Sequence, residues 1–171
     1  GEAVNDLSGS SVSLSANGKI VAIGAQFNYG VDENGSPLAN SGHVRIYEWN
    51  GTIFNWDKLG QDIDGDESND YSGSSVSLSA NGTRVAIGAN WNNGEDESGV
   101  SLGNSGHVRI YEWNGTTSTW EKLGQDIDGE ESDDKSGSSV SLSANGKIVA
   151  IGAIWNNGED ESGAPLPDSG H

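Results

Sequence analysis

The sequence has no cysteine, three prolines and only eight basic side chains in 171 residues. Without cysteine no disulfide stabilises the fold, and the redox compartment is not indicated. The 26 acidic side chains give a net charge of −18, which argues against nucleic-acid binding, because that requires a basic surface. Neither a transmembrane stretch nor a signal-peptide pattern is found, so we expect no membrane insertion. A signal peptide removed earlier or lying upstream stays an open alternative.

Helical periodicity is also missing; what the chain has instead is a repeat. The sequence Ser-Gly-Ser-Ser-Val-Ser-Leu-Ser-Ala-Asn-Gly begins at Ser8, Ser72 and Ser136, which gives a period of 64 residues. A fixed period of this kind is typical of a repeat architecture. The 171 residues hold about 2.7 repeats, and the last copy ends in mid-repeat. We therefore interpret the chain as a piece of a longer protein, or as the ordered part of one.

Each complete repeat contains four strand signals, labelled A to D. In the first copy, A (11–15) alternates apolar and polar residues, and B (20–25) is apolar on both faces. An Asn-Gly pair between them predicts a two-residue hairpin turn. Strand C covers 44–49, and a weaker strand D runs from about 56 to 63.

These signals predict an all-β fold in which each repeat is a four-stranded antiparallel meander. Such a meander, repeated along a chain, is the blade of a β-propeller, whose faces are buried by stacking neighbours. We expect blade 1 at 1–64, blade 2 at 65–128 and a partial blade 3 at 129–171, within one propeller domain that is incomplete in this chain.

The repeats resemble FG-GAP repeats, the propeller blades of integrin α-subunit heads and of many surface proteins. The matching residues in the second copy are 70–79, 85–89 and 105–111. The Phe-Gly of the family name is Ser72-Gly73 here, and the A–B hairpin around Asn81-Gly82 lacks the carboxylates of the family's calcium loop. The resemblance implies an extracellular or cell-surface protein with a binding role, but its calcium site is not carried over.

The acidic residues fall on one side of the predicted blades. In an up-and-down meander the B–C and D–A connections share an edge, and 22 of the 26 acidic residues lie in these connections. Crowded carboxylates repel one another, and calcium prefers several oxygen ligands. We therefore treat Ca²⁺ as a candidate cofactor; the alternative is that these segments are solvated turns. The candidate ligands in the D–A connections are Asp62, Asp64, Asp66, Asp70, Asp126, Asp128, Glu130 and Asp134, and those in the B–C loops are Asp32, Asn34, Asp96 and Asp160.

Two further sets of residues are candidates for surface chemistry. Trp91 and Trp155 begin the B–C loops and could stack on a sugar, although capping of the blade edge is the favoured interpretation. The sequence also contains Asn-x-Ser/Thr acceptors for glycosylation in a secreted protein, with ordinary turn chemistry as the alternative. These acceptors are Asn34, Asn50, Asn81 and Asn114.

Two functional hypotheses remain for this composition. The first is a non-catalytic extracellular binding or adhesion propeller whose acidic face contacts a protein or glycan. The alternative is a structural repeat element of a surface filament, sheath or large assembly, in which the partners are further blades of the same protein. We expect no enzyme, because the carboxylates are interchangeable copies and no cysteine nucleophile or Ser-His-Asp order is present.

Overall fold

A computed structural model describes residues 1, 3–32, 34–96, 98–159, 162 and 164–171. Over these residues the chain forms β-strands, turns and extended segments, and no helix. Accordingly, that part of the chain has no helix of a length and hydropathy suited to crossing a membrane. The prediction of an all-β, antiparallel protein is confirmed at this level.

In the described part of the chain, eighteen strands follow one another in an order that repeats. The first repeat contains β1 (Ser11–Leu14), β2 (Ile20–Ala25), β3 (Gly30–Val31), β4 (Pro37–Leu38), β5 (His43–Asn50), β6 (Asn55–Lys58) and β7 (Ile63–Asp64). The second contains β8 (Ser75–Leu78), β9 (Arg84–Ala89), β10 (Gly94–Glu95), β11 (Ser101–Leu102), β12 (His107–Asn114), β13 (Thr119–Lys122) and β14 (Ile127–Asp128). The third contains β15 (Ser136–Leu142), β16 (Val149–Ala153), β17 (Gly158–Glu159) and β18 (Pro165–Leu166).

The first two repeats each form one five-stranded antiparallel sheet, and the third forms a two-stranded sheet. In the first sheet the order is β1-β2-β5-β6, and β7 also pairs with β5; the second sheet has the same order, with β14 paired to β12. The third sheet consists of β15 and β16. A small two-stranded hairpin projects from each B–C connection, formed by β3 with β4, β10 with β11 and β17 with β18.

Three details differ from the sequence prediction. Strand D is interrupted: β6 and β7 lie along the same side of β5 but are separated by residues 59–62. The Asn17-Gly18 pair lies in a longer turn, in which Ser15 bonds back to Ile20 through its backbone and its hydroxyl. The B–C connection, to which the sequence assigned no strand, forms an ordered two-stranded hairpin.

The three sheets stack through their first strands, and the same contacts occur at both junctions. The Ser11 hydroxyl donates to the Gly73 carbonyl at 2.7 Å, and Ser75 donates to Gly137 at 2.7 Å. Equivalent bonds run from Leu78 N to the Ser13 hydroxyl and from Leu142 N to the Ser77 hydroxyl, both at 2.9 Å. Small residues in the first strands therefore let the sheets approach closely enough for direct hydrogen bonding.

The apolar core lies between the first and second sheets, with further buried residues on the far side of the second. Ala22, Val44 and Ile46 of the first sheet pack against Val76 and Leu78 of the second. Trp120 closes this core at the outer end, where its indole nitrogen donates to the Leu59 carbonyl and its backbone pairs with the Gln61 amide. These bonds occupy the segment between β6 and β7. Strand D is interrupted at the equivalent place in the second repeat, between β13 and β14.

We predict that Gly88→Ala destabilises the protein by about 1–3 kcal/mol, the usual cost of overpacking. A Cβ at Gly88 would overlap the Gly137 carbonyl oxygen and the Ser75 hydroxyl, both at the junction of the second and third sheets. The matched control is Gly103→Ala, whose Cβ meets nothing within 4 Å. Urea unfolding measures both changes, and equal stability of the two variants would contradict the assigned close approach.

Candidate acidic cleft

The B–C and D–A connections meet at one edge of the stack. The backbone of Asn69 donates to Ala39, and that of Tyr71 donates to Asn40. In the next repeat the Asn104 amide donates to Asp133 at 2.9 Å. The acidic connections of successive repeats are therefore joined into one surface, which we call the acidic edge.

Two basic residues per repeat neutralise part of this edge. The Arg45 guanidinium donates two hydrogen bonds of 2.9 Å to the Asp62 carboxylate. Arg109 donates to Asp126 in the same way, at 2.9 and 3.0 Å. Lys58 and Lys122 complete the two clusters. Sequence analysis missed these pairs because it sorted only the acidic residues by connection. The signal was available: an arginine on strand C stands 17 residues before each aspartate.

A polar cleft of about 320 Å³ opens at the acidic edge of the second repeat. It lies between the connection that enters this repeat, the β10–β11 hairpin and the start of β12. Its carboxylates are Asp66, Glu67, Glu95, Asp126 and Asp128, and its other polar side chains are Asn92, Asn93, His107, Arg109 and Gln125. Arg109 also reaches across to Asp66 at 2.6 Å, so one guanidinium joins the segment that precedes β8 to the segment that follows β13.

Two of the three aspartates of the cleft, Asp126 and Asp128, have pKa values shifted in opposite directions. Burial alone would raise the pKa of Asp126, but hydrogen bonds from Arg109 and Lys122 lower it to about 2. Burial and the neighbouring Asp126 charge instead raise the pKa of Asp128. Burial lowers the pKa of His107 to about 4, so the imidazole is neutral at pH 7 although it lies 3.9 Å from Asp128. The cleft is therefore strongly negative, and the charge of Asp128 is only weakly compensated by nearby basic side chains.

Asp70 and Asp134 are buried and hold the D–A connection together. Asp70 accepts from the Glu67 backbone, and burial raises its pKa. Asp134 accepts from the backbones of Glu130 and Glu131 and from the Asn156 amide. The other Asp134 oxygen, Oδ1, is buried without a hydrogen-bond partner. These two candidate calcium ligands thus serve as internal acceptors for their own loops.

The remaining calcium candidates lie apart from one another. Asp32 and Asp96 accept backbone bonds across their own hairpin tips, which lowers the pKa of Asp32. Asn34 is exposed at the same tip, Asp64 lies 3.9 Å from His43, and Asp160 falls outside the described residues. Within the described ranges no three acidic or histidine side chains are grouped so as to hold a metal ion. Calcium binding stays a prediction.

The two candidate stacking tryptophans have protein partners. The ammonium group of Lys135 lies 3.6 Å from the Trp91 ring centre and 5.4 Å from that of Trp155. Tyr71 occupies the preceding equivalent place, between Phe27 and Trp91, in edge-to-face contacts. Each side chain is clamped by the loops of two successive repeats, so these rings tie the repeats together at the acidic edge.

Three of the four glycosylation candidates shape turns, and Asn34 lies exposed at a hairpin tip. The side-chain oxygens of Asn50, Asn81 and Asn114 each accept a backbone bond from the residue two positions later. The amide nitrogens of Asn50 and Asn114 also donate to Asp57 and Glu121. Glycosylation of the four asparagines remains a prediction.

Comparison with known proteins identifies a fold and no family. No family model matches the chain, and no curated protein matches it. Among similar solved structures is a protein from Bacteroides uniformis described as a "putative 6-phosphogluconolactonase", with a TM-score of 0.50 and 14% identity. The match covers 94% of this chain and 39% of that one, so the chain spans about two fifths of the length of its neighbour.

These findings correct the resemblance to FG-GAP repeats, which is wrong as an identification. The structure gives a physical reason for the departure at the Phe-Gly position. Ser72 and Ser136 are buried and bridge to Gly42 and Gly106, where the backbones of successive repeats touch. A phenylalanine at this position would not fit between them.

The expectation that the chain is not an enzyme is also corrected. A solved structure that shares this fold is described as a putative enzyme, so the fold gives no reason to exclude catalysis. The sequence argued against an enzyme because the carboxylates recur as interchangeable copies, with no distinctive catalytic pair among them. In the folded chain the second repeat has neighbours on both sides, and its cleft gathers a histidine, an arginine and several carboxylates from separate segments.

We predict opposite effects for Asp126→Asn and Asp128→Asn. A lowered pKa stabilises the fold above the ordinary value of 3.8, and this contribution is lost as pH falls toward 2. Since Asp126 is partly solvated, its substitution should cost about 1 kcal/mol at pH 7, or roughly 2–4 °C in Tm. The raised pKa of Asp128 has the opposite sign, so Asp128→Asn should leave Tm equal or higher at pH 7.

The measurement is thermal unfolding at pH 7 and near pH 2, with wild-type protein beside both variants. The deficit of Asp126→Asn should shrink to a small remainder near pH 2, because about half of the wild-type Asp126 carboxylates are then protonated. A deficit for Asp128→Asn as large as that for Asp126→Asn would contradict the assigned charges.

Proposed function

We propose that the chain is an extracellular or cell-surface binding module, with its three repeats as blades of a β-propeller. The blade assignment is supported by the strand order of the first two sheets and by the stacking of their first strands, which is the arrangement of inner strands around a propeller axis. The localisation is supported by the net charge of −18, which suits a soluble surface in a salty exterior.

The binding role is carried by one observation, the acidic cleft of the second repeat. It combines exposed Glu95 with carboxylates that are already crowded, and Arg109 is the one guanidinium lining it. A ligand that donates hydrogen bonds or carries positive charge would relieve this crowding. A protein segment with basic residues or a glycan hydroxyl array has that chemistry, whereas a phosphorylated substrate would meet net negative charge.

A structural role is the second candidate, and a separate observation favours it. The two junctions between sheets repeat the same serine, glycine and leucine contacts, as in repeat proteins that stack identical units through nearest-neighbour interfaces. In this role the acidic edge keeps a long assembly soluble, and the partners are further blades.

The cleft is tested by comparing Glu95→Gln with Glu48→Gln. Both variants lose one exposed carboxylate. Glu48, however, lies in the first sheet, near the end of β5, where it pairs with Asp57. The probes are an immobilised glycan array and a lysine-rich peptide, with affinity measured by calorimetry. We expect Glu95→Gln to weaken binding by about 10-fold, as for the loss of a charged hydrogen bond, and Glu48→Gln to leave it unchanged. No binding of either probe, or equal loss in both variants, would contradict the proposed site.

Calcium binding is proposed as an accessory to this surface, and it has its own test. If Ca²⁺ compensates the carboxylates at the acidic edge, wild-type protein should melt at a higher temperature in millimolar CaCl₂ than in EDTA, because a ligand of the native state stabilises it. MgCl₂ at equal ionic strength controls for simple screening. An unchanged Tm in EDTA would remove the support for this cofactor.

A further inference from the structure

The acidic cleft of the second repeat contains a buried histidine whose imidazole has no hydrogen bond to the described residues. The His107 side chain is 4% exposed, and its Nδ1 atom lies 3.9 Å from Asp128, too far for a hydrogen bond. The ring nitrogens are not enclosed by protein, so they face the cleft that the ring lines. Buried polar side chains almost always bond to protein or to a bound molecule. This edge of the ring therefore points to a ligand.

Strand register holds Asp128 beside the imidazole. His107 begins β12 and Asp128 ends β14, and the two residues lie directly opposite each other. Their side chains therefore leave the same face of the sheet. The backbone of Gly94 approaches from the β10–β11 hairpin, because a Cβ at this glycine would lie 3.1 Å from the Asp128 Cβ. Pairing and packing thus fix the position of the carboxylate.

Glu95 brings a further carboxylate into the cleft from the β10–β11 hairpin. It lines the same space as Asp128, and its charge helps to raise the pKa of that aspartate. Neither carboxylate accepts a hydrogen bond from the part of the chain that the structure describes. The Arg109 guanidinium bonds to Asp126 and Asp66 instead. The imidazole and these two carboxylates are therefore three acceptors that converge without a donor.

The number and charge of these acceptors favour a primary ammonium group. Burial lowers the pKa of His107 to about 4, so at pH 7 the ring is neutral and one nitrogen accepts. A primary ammonium has three N–H donors and one positive charge, whereas a guanidinium pairs best with a single carboxylate through parallel bonds. A glycan hydroxyl would leave the charge of the cleft uncompensated. The volume of about 320 Å³ suits a head group on an alkyl stem.

The opening of the cleft does not depend on where the chain begins or ends. Sheets of the first and third repeats lie on either side of it. The first repeat shows the effect of a complete following repeat, because Asp64, the equivalent of Asp128, is followed by the whole second repeat. Its side chain is still 45% exposed, against 32% for Asp128. A complete neighbour thus leaves this position open.

The first repeat also provides a natural comparison for the ligand. It retains the histidine and the aspartate as His43 and Asp64, but Val31 stands where the second repeat has Glu95. One of the three acceptors is therefore missing from its equivalent cleft. We expect the second repeat to bind an ammonium group more strongly than the first.

We propose that the acidic cleft binds a primary alkylammonium group, whose N–H bonds are accepted by the His107 imidazole and by the carboxylates of Asp128 and Glu95. A lysine side chain of a partner protein and the end of a free polyamine both present this head group on an alkyl stem. This inference rests on the proposed function, for which it names the ligand chemistry.

The test is a calorimetric titration of the 171-residue chain in about 0.15 M NaCl, where charges beyond about 8 Å are largely screened. The probe is Nα-acetyl-lysine amide. Its Nε-acetylated form lacks the charge, and tetramethylammonium has the charge without N–H donors. We expect the probe to bind and both controls to bind at least about 10-fold more weakly. N-acetyl-trilysine amide and spermidine, which carry equal charge, then separate the two sources: the tighter binder assigns a partner protein or a free polyamine.

Matched variants locate the site. Glu95→Val gives the second cleft the residue of the first, and Asp128→Asn removes a charge at no expected cost in stability. Each should weaken binding of Nα-acetyl-lysine amide by about 10-fold, as should His107→Phe. Asp64→Asn, the same change in the first repeat, should leave the affinity unchanged. Circular dichroism checks folding, and Asp128→Asn decides the outcome if His107→Phe is unfolded.

The outcomes separate this inference from the proposed function. A glycan that binds when neither amine does would overturn the ammonium site and leave the binding role in place. No binding of any probe would overturn both. Equal binding of tetramethylammonium, or an equal loss in Asp64→Asn, would indicate general attraction to the acidic edge and overturn the site.

Discussion

The structure depends on the hydrogen bond between a serine hydroxyl on one first strand and a glycine carbonyl on the next. This bond requires the two sheets to approach more closely than apolar side chains allow, because the donor is a short side chain and the acceptor is backbone. A glycine therefore stands where a Cβ would overlap that carbonyl. The apolar residues of the following sheet fill the space beside this contact, so polar alignment and hydrophobic burial occur in one junction.

Charge at the acidic edge is arranged by the same stacking. Arg45 and Arg109 lie on strands of the sheets, yet their side chains reach the aspartates that follow strand D, and Arg109 also holds Asp66 from the connection between repeats. The repulsion expected from 26 acidic groups is therefore offset at specific places and left unbalanced at others. The cleft around Asp128 and Glu95 is one of the unbalanced places, which is why it is the favoured site for a hydrogen-bonding or cationic partner.

Sequence periodicity predicted the elements well where neighbouring residues alone determine them. Strands A, B and C are close to β1, β2 and β5, because alternation and apolar runs report which residues face a core. It failed where a distant segment decides. Strand D is broken in both complete repeats, and in the first the gap contains Leu59 and Gln61, which bond to Trp120 about 60 residues away. The turn at Asn17 is set by bonds to Ser15 rather than by the Asn-Gly pair alone. Capping of the blade edge was the favoured interpretation for Trp91 and Trp155, but the sequence did not indicate Lys135 as their partner, because its position between them depends on how the loops stack.

The sequence by itself determined the period, the strand order, the all-β class and the excess of carboxylates in two kinds of connection. These follow from local alternation, turn residues and composition, which need no knowledge of distant contacts. Only the tertiary structure decided which carboxylates are paired, which are buried acceptors and which line a cleft. It also decided that identical sequences differ in exposure: Val76 is buried and Val12 is not, because burial depends on whether a neighbouring sheet is present. For near-identical repeats, position in the stack separates a core residue from an exposed one.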